Sequence, residues 1–461
     1  MNWFKKVMSM VFVFIFAVSS FIALPQAEAQ AAFKIDYEVH CDCIYMVNLD
    51  TGMVVYEKNA EKIKYPASLT KMMTCIIALE YYSDPEVEYV TISNAVMTDR
   101  TLINNGVWSN GQLVEGERVT LKDLLYCALL PSDNYAALAI AYYVAEQKGN
   151  SDDVQWFVNK MNEKAKEIGC ENTLFMNPHG LFHEHHYSTA KDMFLIAQYA
   201  MNNPYFAEIV NEPVYLRGQT NMHPTFADGR DVCRLENTNM MLSTAYEEYY
   251  YQYVKGIKTG FIGKSSHNFA SYATKDGYSY IIIALDDGAT KNKDTNYAML
   301  DCKSLFHWAF TNLTLKEVVK ANTAVATVNI DLAWSRDTIE LYPAESYRTL
   351  ILKNIQSSSI MVRTDLPDTI VAPVKKGEVL GRAQLVYGSE VIGTVDLVAG
   401  ETVQRSELLY VFSIISNMFG STVFIVLLVL LVLIAIAYVV YSFLHARNVS
   451  SLKRVHRYRR M

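Results

Sequence analysis

Apolar positions change their spacing several times along the chain, and each change marks an element or a boundary. In Tyr65–Glu80 (YPASLTKMMTCIIALE), Leu69, Met72, Met73, Ile76, Ile77 and Leu79 predict a helix that buries most of its surface. Pro66 just upstream suits the start of that helix. Before it, Cys43–Lys58 holds two apolar runs joined across Asp50-Thr51-Gly52, which predicts a hairpin. Helical patterns dominate from Leu121 to about Ile168 and return at Thr189–Asn202. Strand character reappears at Val254–Thr259, Phe269–Tyr272 and Tyr280–Asp286, the last a bare apolar run of the buried kind. Lys303–Thr311 predicts a closing helix. Strands at both ends with helices between predict an α+β fold over residues 33–315, a mixed sheet covered by helices with an inserted helical lobe. From about Asn322 the pattern shifts to short alternating segments at Ala324–Ile330, Thr338–Leu341, Ile360–Thr364, Glu378–Tyr387 and Val391–Val398. Gly, Pro and Asp turns separate them, and they predict a small all-β domain over residues 322–405.

The two ends follow neither pattern. The N-terminus, MNWFKKVMSMVFVFIFAVSSFIALPQAEAQAAF, carries Lys5 and Lys6 ahead of an apolar run from Val7 to about Leu24. Ala27-Glu28-Ala29 follows, with Ala29-Gln30-Ala31 as an alternative cleavage site. This is the layout of a signal peptide over residues 1–31; the run is also long enough to serve as an uncleaved anchor. Thr422–Leu444 (TVFIVLLVLLVLIAIAYVVYSFL) has no charged residue and predicts a transmembrane helix. The tail 445–461 holds Arg447, Lys453, Arg454, Arg457, Arg459 and Arg460 with no acid, so the positive-inside rule places it in the cytoplasm. Everything between the two ends is then extracellular and tethered to the cell membrane by one C-terminal pass. Ser406–Phe419 reads as an interfacial helix leading into the span.

With 461 residues the chain has room for two or three domains. Its 51% hydrophobic content against 19% charged is explained by the apolar ends. A net charge of −7 despite the basic tail makes the exported part acidic, which argues against nucleic acid as a partner. Seven cysteines (Cys41, Cys43, Cys75, Cys127, Cys170, Cys233 and Cys302) are scattered and odd in number. Cys75 and Cys127 fall in apolar helical patterns and read as core residues. Cys41-Asp42-Cys43, in a strand-like stretch, is not a standard zinc pattern. There is room for one or two disulfides outside the cell, and the sequence does not pair them.

Three short motifs carry chemistry. Ser68-x-x-Lys71 heads the apolar helix, Ser132-Asp133-Asn134 sits in LLPSDNYAALAI between helices, and Lys258-Thr259-Gly260 ends a strand-like run in VKGIKTGFIGKSSHNFASYA. A Ser-x-x-Lys match is expected about twice by chance in such a chain, and Lys-Thr-Gly about once in ten chains, so order and setting carry the weight. Together they form a recognised catalytic set. Ser68 and Lys71 lie one helical turn apart on one face, and a lysine beside a serine can act as its base. Attack on an amide needs that lysine neutral, which burial or a neighbouring cation such as Lys258 achieves. Lys258 can also bind a substrate carboxylate, Asn134 can bond a peptide amide and Lys71, and Ser132 can relay a proton to the leaving amine. The backbone N–H of Ser68, at a helix N-terminus, is a natural oxyanion donor.

The chain resembles the D-alanyl-D-alanine carboxypeptidase family, the low-molecular-mass penicillin-binding proteins. The likeness runs through LDTGMVVYEKNAEKIKYPASLTKMMT, EGERVTLKDLLYCALLPSDNYAALAI, NPHGL, HYSTAKDM and the SSHNFASYA after Lys-Thr-Gly. It continues in the tail segment APVKKGEVLGRAQLVYGSEVIGTVDLV, so that it covers about residues 33–405. The resemblance implies a penicillin-binding, β-lactamase-like transpeptidase domain followed by a β-rich domain. It also implies a serine-type carboxypeptidase acting on peptidoglycan stem peptides that end in D-Ala-D-Ala, with β-lactams as covalent inhibitors. On that basis Ser68 is acylated, Lys71 is its general base, and Ser132 and Asn134 serve proton relay and amide binding. Lys258 and Thr259, with Gly260, hold the terminal carboxylate, and Phe261 lends the second oxyanion N–H. Water then releases the shortened peptide, with no metal or cofactor.

Asp133 stands where relatives often carry Gly or Ala, and Tyr135 where Asp is frequent. The arginine that relatives often place near the strand after Lys-Thr-Gly is missing from DGYSYIIIALDDG. A full transmembrane span replaces the family's amphipathic anchor. Two rival readings share the motifs. A class A β-lactamase needs Glu-x-x-Leu-Asn after Ser-Asp-Asn, but here Glu171-x-x-Leu174 is followed by Phe175. A non-enzymatic cell-wall sensor on the same scaffold is opposed by the intact Ser68, Lys71, Asn134 and Lys258. His183-Glu184-His185-His186 suggests metal but reads better as a solvated loop. Tyr246–Tyr253 (YEEYYYQY) reads equally as a border of the substrate groove or as an amphipathic rim.

Overall fold

A computed structural model of the chain describes residues 33–458 apart from 34, 151–153, 227, 263–265, 287–294, 356–358 and 388–389. The predicted signal segment 1–31 lies outside the described residues. The chain divides into two compact units, residues 1–314 with 350–353, and residues 315–349 with 354–461.

In the first unit the hairpin pairs β1 (Cys43–Asn48) with β2 (Val54–Lys58). Three later strands, β3 (Val254–Ile262), β4 (Ser266–Lys275) and β5 (Tyr278–Leu285), complete a five-stranded sheet in the order β2-β1-β5-β4-β3. β1 meets β5 from Cys43↔Leu285 to Asn48↔Tyr280, and every neighbouring pair runs antiparallel. The pattern of apolar runs predicts a mixed sheet. Successive strands that follow one another directly within the sheet reverse direction instead, so no parallel crossover forms. Six residues of β5 are buried in a row, as its bare apolar run requires.

The predicted apolar helix is α1 (Thr70–Tyr81), and Thr70 to Leu79 are buried without a break. A helix apolar all round has no face to offer water, so it ends up inside. Around it pack α2 (Leu121–Leu129), α3 (Asn134–Gln147), α4 (Val154–Ile168), α5 (Ala190–Met201) and α6 (Pro204–Asn211). The closing helix α7 (Tyr297–Asn312) packs on β4 and β5. Thr70, Lys71 and Thr74 are the polar exceptions on α1, and each is fully buried. Their partners define the site described below.

The second unit holds β6 (Ala326–Asp331), β7 (Thr338–Pro343), β8 (Met361–Asp365), β9 (Thr369–Val371), β10 (Val379–Tyr387) and β11 (Glu390–Ala399). They form one sheet in the order β8-β10-β11-β7-β6-β9, with β6 and β9 its parallel pair. Burial alternates along β6 and β7, the signature of a sheet with one covered face. Two helices follow, α8 (Glu407–Gly420) with no buried residue and α9 (Thr422–Tyr458). Thr422–His445 is long and apolar enough to cross a membrane and fits a membrane anchor.

All seven cysteines are buried and free. The room for disulfides goes unused, and each thiol serves as a small apolar filler. The first unit also buries an ion pair, Arg217 Nη1 to Glu117 Oε1 at 2.6 Å, with both side chains inaccessible. Thr220 Oγ1 donates to the same carboxylate oxygen, and the His223 ring lies 3.1 Å from it. Arg217 Nη2 also donates to the Gly111 carbonyl at 2.8 Å. Removing one partner strands a buried charge, so Arg217→Met should destabilise this unit by about 3–5 kcal/mol in chemical denaturation. A loss below about 1 kcal/mol would show that the pair is not sealed from water.

Candidate active site

Ser68 does not sit in the first turn of α1. It occupies a 3-10 turn, Ala67–Leu69, that leads into the helix, and Ala67 before it has a φ of +50°. An alanine in that left-handed region is strained, so its surroundings must hold it there. Two glycines do so. Gly180, itself at φ +81°, lies so close that a Cβ would stand 2.1 Å from the Ala67 carbonyl oxygen. On the other side, a Cβ on Gly260 would stand 3.1 Å from the Pro66 carbonyl oxygen and 3.4 Å from the Ala67 Cβ. The Lys-Thr-Gly glycine is therefore what lets β3 press against the nucleophile turn. Asn268 on β4 fixes the approach by donating to the Tyr65 carbonyl at 2.8 Å.

Lys71 Nζ makes three hydrogen bonds, to Ser68 Oγ at 2.9 Å, Asn134 Oδ1 at 2.6 Å and the His179 carbonyl at 2.7 Å. Burial pushes its pKa down to about 7, against an opposing pull from the Asp133 carboxylate. Of the two routes the sequence allows, burial is the one at work on Lys71. Lys258 is equally buried and is pushed well below the usual lysine range, by burial first and by the Lys71 charge second. A neutral Lys71 has two N–H bonds and one lone pair. Asn134 Oδ1 and the His179 carbonyl claim the two hydrogens, which leaves the lone pair facing the Ser68 hydroxyl. That is the geometry of a general base.

Asn134 opens α3, and Ser132 two residues earlier has a φ of +60°. Ser132 Oγ and Lys258 Nζ are buried and make no hydrogen bond among the described residues. Orphaned buried polar atoms are costly and need a reason. Thr259 is half-buried, and its hydroxyl lies 2.5 Å from Thr238 Oγ1. Thr238 in turn donates to the carbonyl of Leu130, two residues before Ser132. Phe261 is 57% exposed with its ring against His267. All eight predicted site residues thus lie on three segments, and direct contacts join Ser68, Lys71 and Asn134.

Other contributors escaped the motif search. The Asn177–Leu181 loop is bolted to α1 through Thr74 Oγ1 to the Pro178 carbonyl (2.6 Å), Lys71 to His179, and Tyr65 to the Gly180 carbonyl (2.6 Å). Its signal was the NPHGL string, but a backbone carbonyl has no residue signature. In the His-Glu-His-His segment, His183, Glu184 and His185 are exposed, and no metal-holding cluster occurs among the described residues. His186 departs from the solvated reading. It is buried, burial holds its pKa down to about 3, and its Nδ1 accepts from the Met176 N–H. The neutral ring then donates from Nε2 to Thr70 Oγ1 at 2.9 Å, bracing the residue between Ser68 and Lys71. Asp133, absent from the expected pattern, is fully buried and accepts from the N–H groups of Tyr135 and Ala136 as the cap of α3. In the Tyr246–Tyr253 segment, Tyr251 and Tyr253 lie against Phe306 and Phe310 of α7, while Tyr246 is exposed.

Comparison with known proteins places the whole chain. The profile described as D-alanyl-D-alanine carboxypeptidase matches residues 26–289, and the penicillin-binding protein 5 C-terminal domain matches residues 314–405. D-alanyl-D-alanine carboxypeptidase DacF of Bacillus subtilis is 29% identical over 362 residues, 78% of this chain and 85% of that protein. DacC of Escherichia coli is 26% identical over 415 residues, 86% of this chain and 90% of that protein. Penicillin-binding protein 5 from Haemophilus influenzae superposes with a TM-score of 0.60 at 23% identity, over 81% of this chain and 100% of that one, which shows the shared fold. With its first profile alone matching more than half of its length, the chain belongs to the family of serine-type D-alanyl-D-alanine carboxypeptidases.

Proposed function

We propose that this chain removes the terminal D-alanine from peptidoglycan stem peptides through an acyl-enzyme on Ser68. The observation that carries the reading is the Lys71 amine, buried and satisfied on two sides so that its free pair faces Ser68 Oγ. Lys71 takes the hydroxyl proton as Ser68 Oγ attacks the carbonyl carbon of the penultimate D-alanine. The backbone N–H groups of Ser68 and Phe261 hold the oxyanion. Phe261 lies on β3, the edge of its sheet, where alternate N–H groups point away from the ladder. As the C–N bond breaks, Ser132 Oγ passes a proton to the leaving amine. Lys258, Thr259 and Gly260 hold the leaving residue's carboxylate, and Asn134 bonds the amide of the acyl half. An anion there gives the orphaned Lys258 Nζ its partner. Water then hydrolyses the ester. A β-lactam presents the same carboxylate and a strained amide, so it acylates Ser68 covalently.

The wider layout belongs to the same proposal. Residues 1–31 form a cleaved signal peptide, 33–315 the catalytic domain and 322–405 the β-rich domain. Residues 422–444 cross the cell membrane, with the catalytic domain outside and the basic tail 445–461 inside.

Mass spectrometry after penicillin treatment should find one adduct on the Ser68 peptide, absent in Ser68→Ala, and a stem-peptide mimic should yield free D-alanine. An adduct without D-alanine release would replace catalysis with a sensor role, and no adduct would sink the reading. The acylation rate should rise with pH and level off above about pH 7, because Lys71 acts only when neutral. A rate still climbing tenfold per unit near pH 9–10, as for an ordinary lysine at roughly 10.4, would remove Lys71 as base. Gly180→Ala should slow acylation by about 10–100-fold, because its Cβ displaces the Ala67 carbonyl and with it Ser68. A rate within about twofold of wild type would show that the turn tolerates the shift.

A further inference from the structure

The segment Val107–Leu113 combines tight anchoring with one large side chain left in water. Ser109 Oγ and the Gly111 N–H both donate to Asp133 Oδ2, at 2.6 and 2.7 Å. Asn110 Nδ2 donates to the Pro131 carbonyl at 2.8 Å, and the Tyr135 hydroxyl to the Val107 carbonyl at 3.3 Å. Arg217 grips Gly111 from the other side through its carbonyl. Gly111 is pressed into the interior so closely that a Cβ would stand 2.6 Å from the Cys127 sulfur. The loop is therefore fastened to Pro131 and Asp133, the two residues flanking Ser132. Yet Trp108, in the middle of these tethers, is 83% exposed. An indole this exposed adds little to the core, and exposed aromatics on a firmly held backbone are typical anchors for a partner.

We propose that Trp108 is a specificity residue, contacting the part of the stem peptide on the N-terminal side of the D-Ala-D-Ala unit. The inference rests on the proposed carboxypeptidase reading. The leaving group there is a single residue, whose carboxylate is consumed by the Lys258 and Thr259 side of the cleft. A contact that reaches outward beyond Ser132 must therefore come from the acyl half, which is the longer part of the substrate. Asn134, one residue past the Asp133 tether, receives the amide of that same half. The tethers supply part of what an anchor needs, since a loop backbone already fixed in the free protein has less freedom to lose on binding. Asp133 thereby acquires a reason: where a Gly or Ala would leave the loop loose, its carboxylate holds both the cap of α3 and the loop that presents Trp108.

The test compares D-alanine release by wild-type protein and Trp108→Ala from two probes, N-acetyl-D-Ala-D-Ala and a pentapeptide with a diamino acid preceding D-Ala-D-Ala. Because Trp108 is exposed, the variant should keep the wild-type melting temperature. Its KM for the pentapeptide should rise roughly tenfold with kcat unchanged, and the short probe should be processed as by wild type. Trp108→Phe should recover most of the loss. An equal loss on both probes, or none on the pentapeptide, would overturn the proposal while wild-type turnover leaves the carboxypeptidase reading standing. Wild-type protein that releases D-alanine from neither probe would overturn both.

Discussion

The structure turns on one buried amine. Lys71 lies within a helix that is buried for ten residues, in a setting where a charged ammonium is disfavoured and every N–H must find a partner. One partner is local, Ser68 on the turn before the helix, and two come from distant parts of the chain, Asn134 at the head of α3 and the His179 carbonyl. Satisfying them fixes where α3 begins and how the Asn177–Leu181 loop lies on α1. The same burial that draws these segments together depresses the lysine's affinity for a proton. Packing and activation are one effect here, because an amine kept in water would keep its proton and ask for none of these neighbours.

What was legible in the sequence was whatever could be written locally. The all-round apolarity of Leu69–Leu79 gave away a buried helix, and the meeting of Ser68, Lys71 and Asn134 was readable because side chains carry it. Most strands of the two sheets emerged from apolar runs, alternation and turns, whereas the short β9 did not. The parts that stayed hidden depend on residues about a hundred positions apart. Nothing in the string Pro66-Ala67-Ser68 announces the 3-10 turn or the positive φ of Ala67, since Gly180 and Gly260 make room for both. The His179 carbonyl is invisible because every residue has one. His186 was hidden among three solvated neighbours, and only the fold distinguishes a ring under α1 from rings in water. Strand direction was hidden for the same reason, because periodicity marks a strand but not which way its partner runs.

The site also shows where stability has been set aside. Ala67 and Ser132 both adopt left-handed backbone angles, and Ser132 Oγ and Lys258 Nζ are buried without hydrogen-bond partners among the described residues. Each feature costs free energy in the absence of substrate. Three of the four lie within the motifs, and the fourth, Ala67, immediately precedes Ser68. Compensation lies one step outward: four hydrogen bonds on Asp133, the carbonyls of the Asn177–Leu181 loop, and His186 under Thr70.

That outward step bears on the missing arginine. On the proposed carboxypeptidase reading, carboxylate recognition without it would fall to Lys258 and to hydroxyls, among which Thr238 stands next to Thr259. Thr238 is tied to the Leu130 carbonyl by its own N–H and its Oγ1, and Oγ1 also meets Thr259. With its proton committed to Leu130, Thr238 can only accept from Thr259, which commits the Thr259 proton to Thr238 in the free protein. An arriving carboxylate competes for that proton with a stronger, charged acceptor. On that reading, binding would need only a hydroxyl rotation beside the buried Lys258 amine, and the anion would be recognised by a proton changing acceptors.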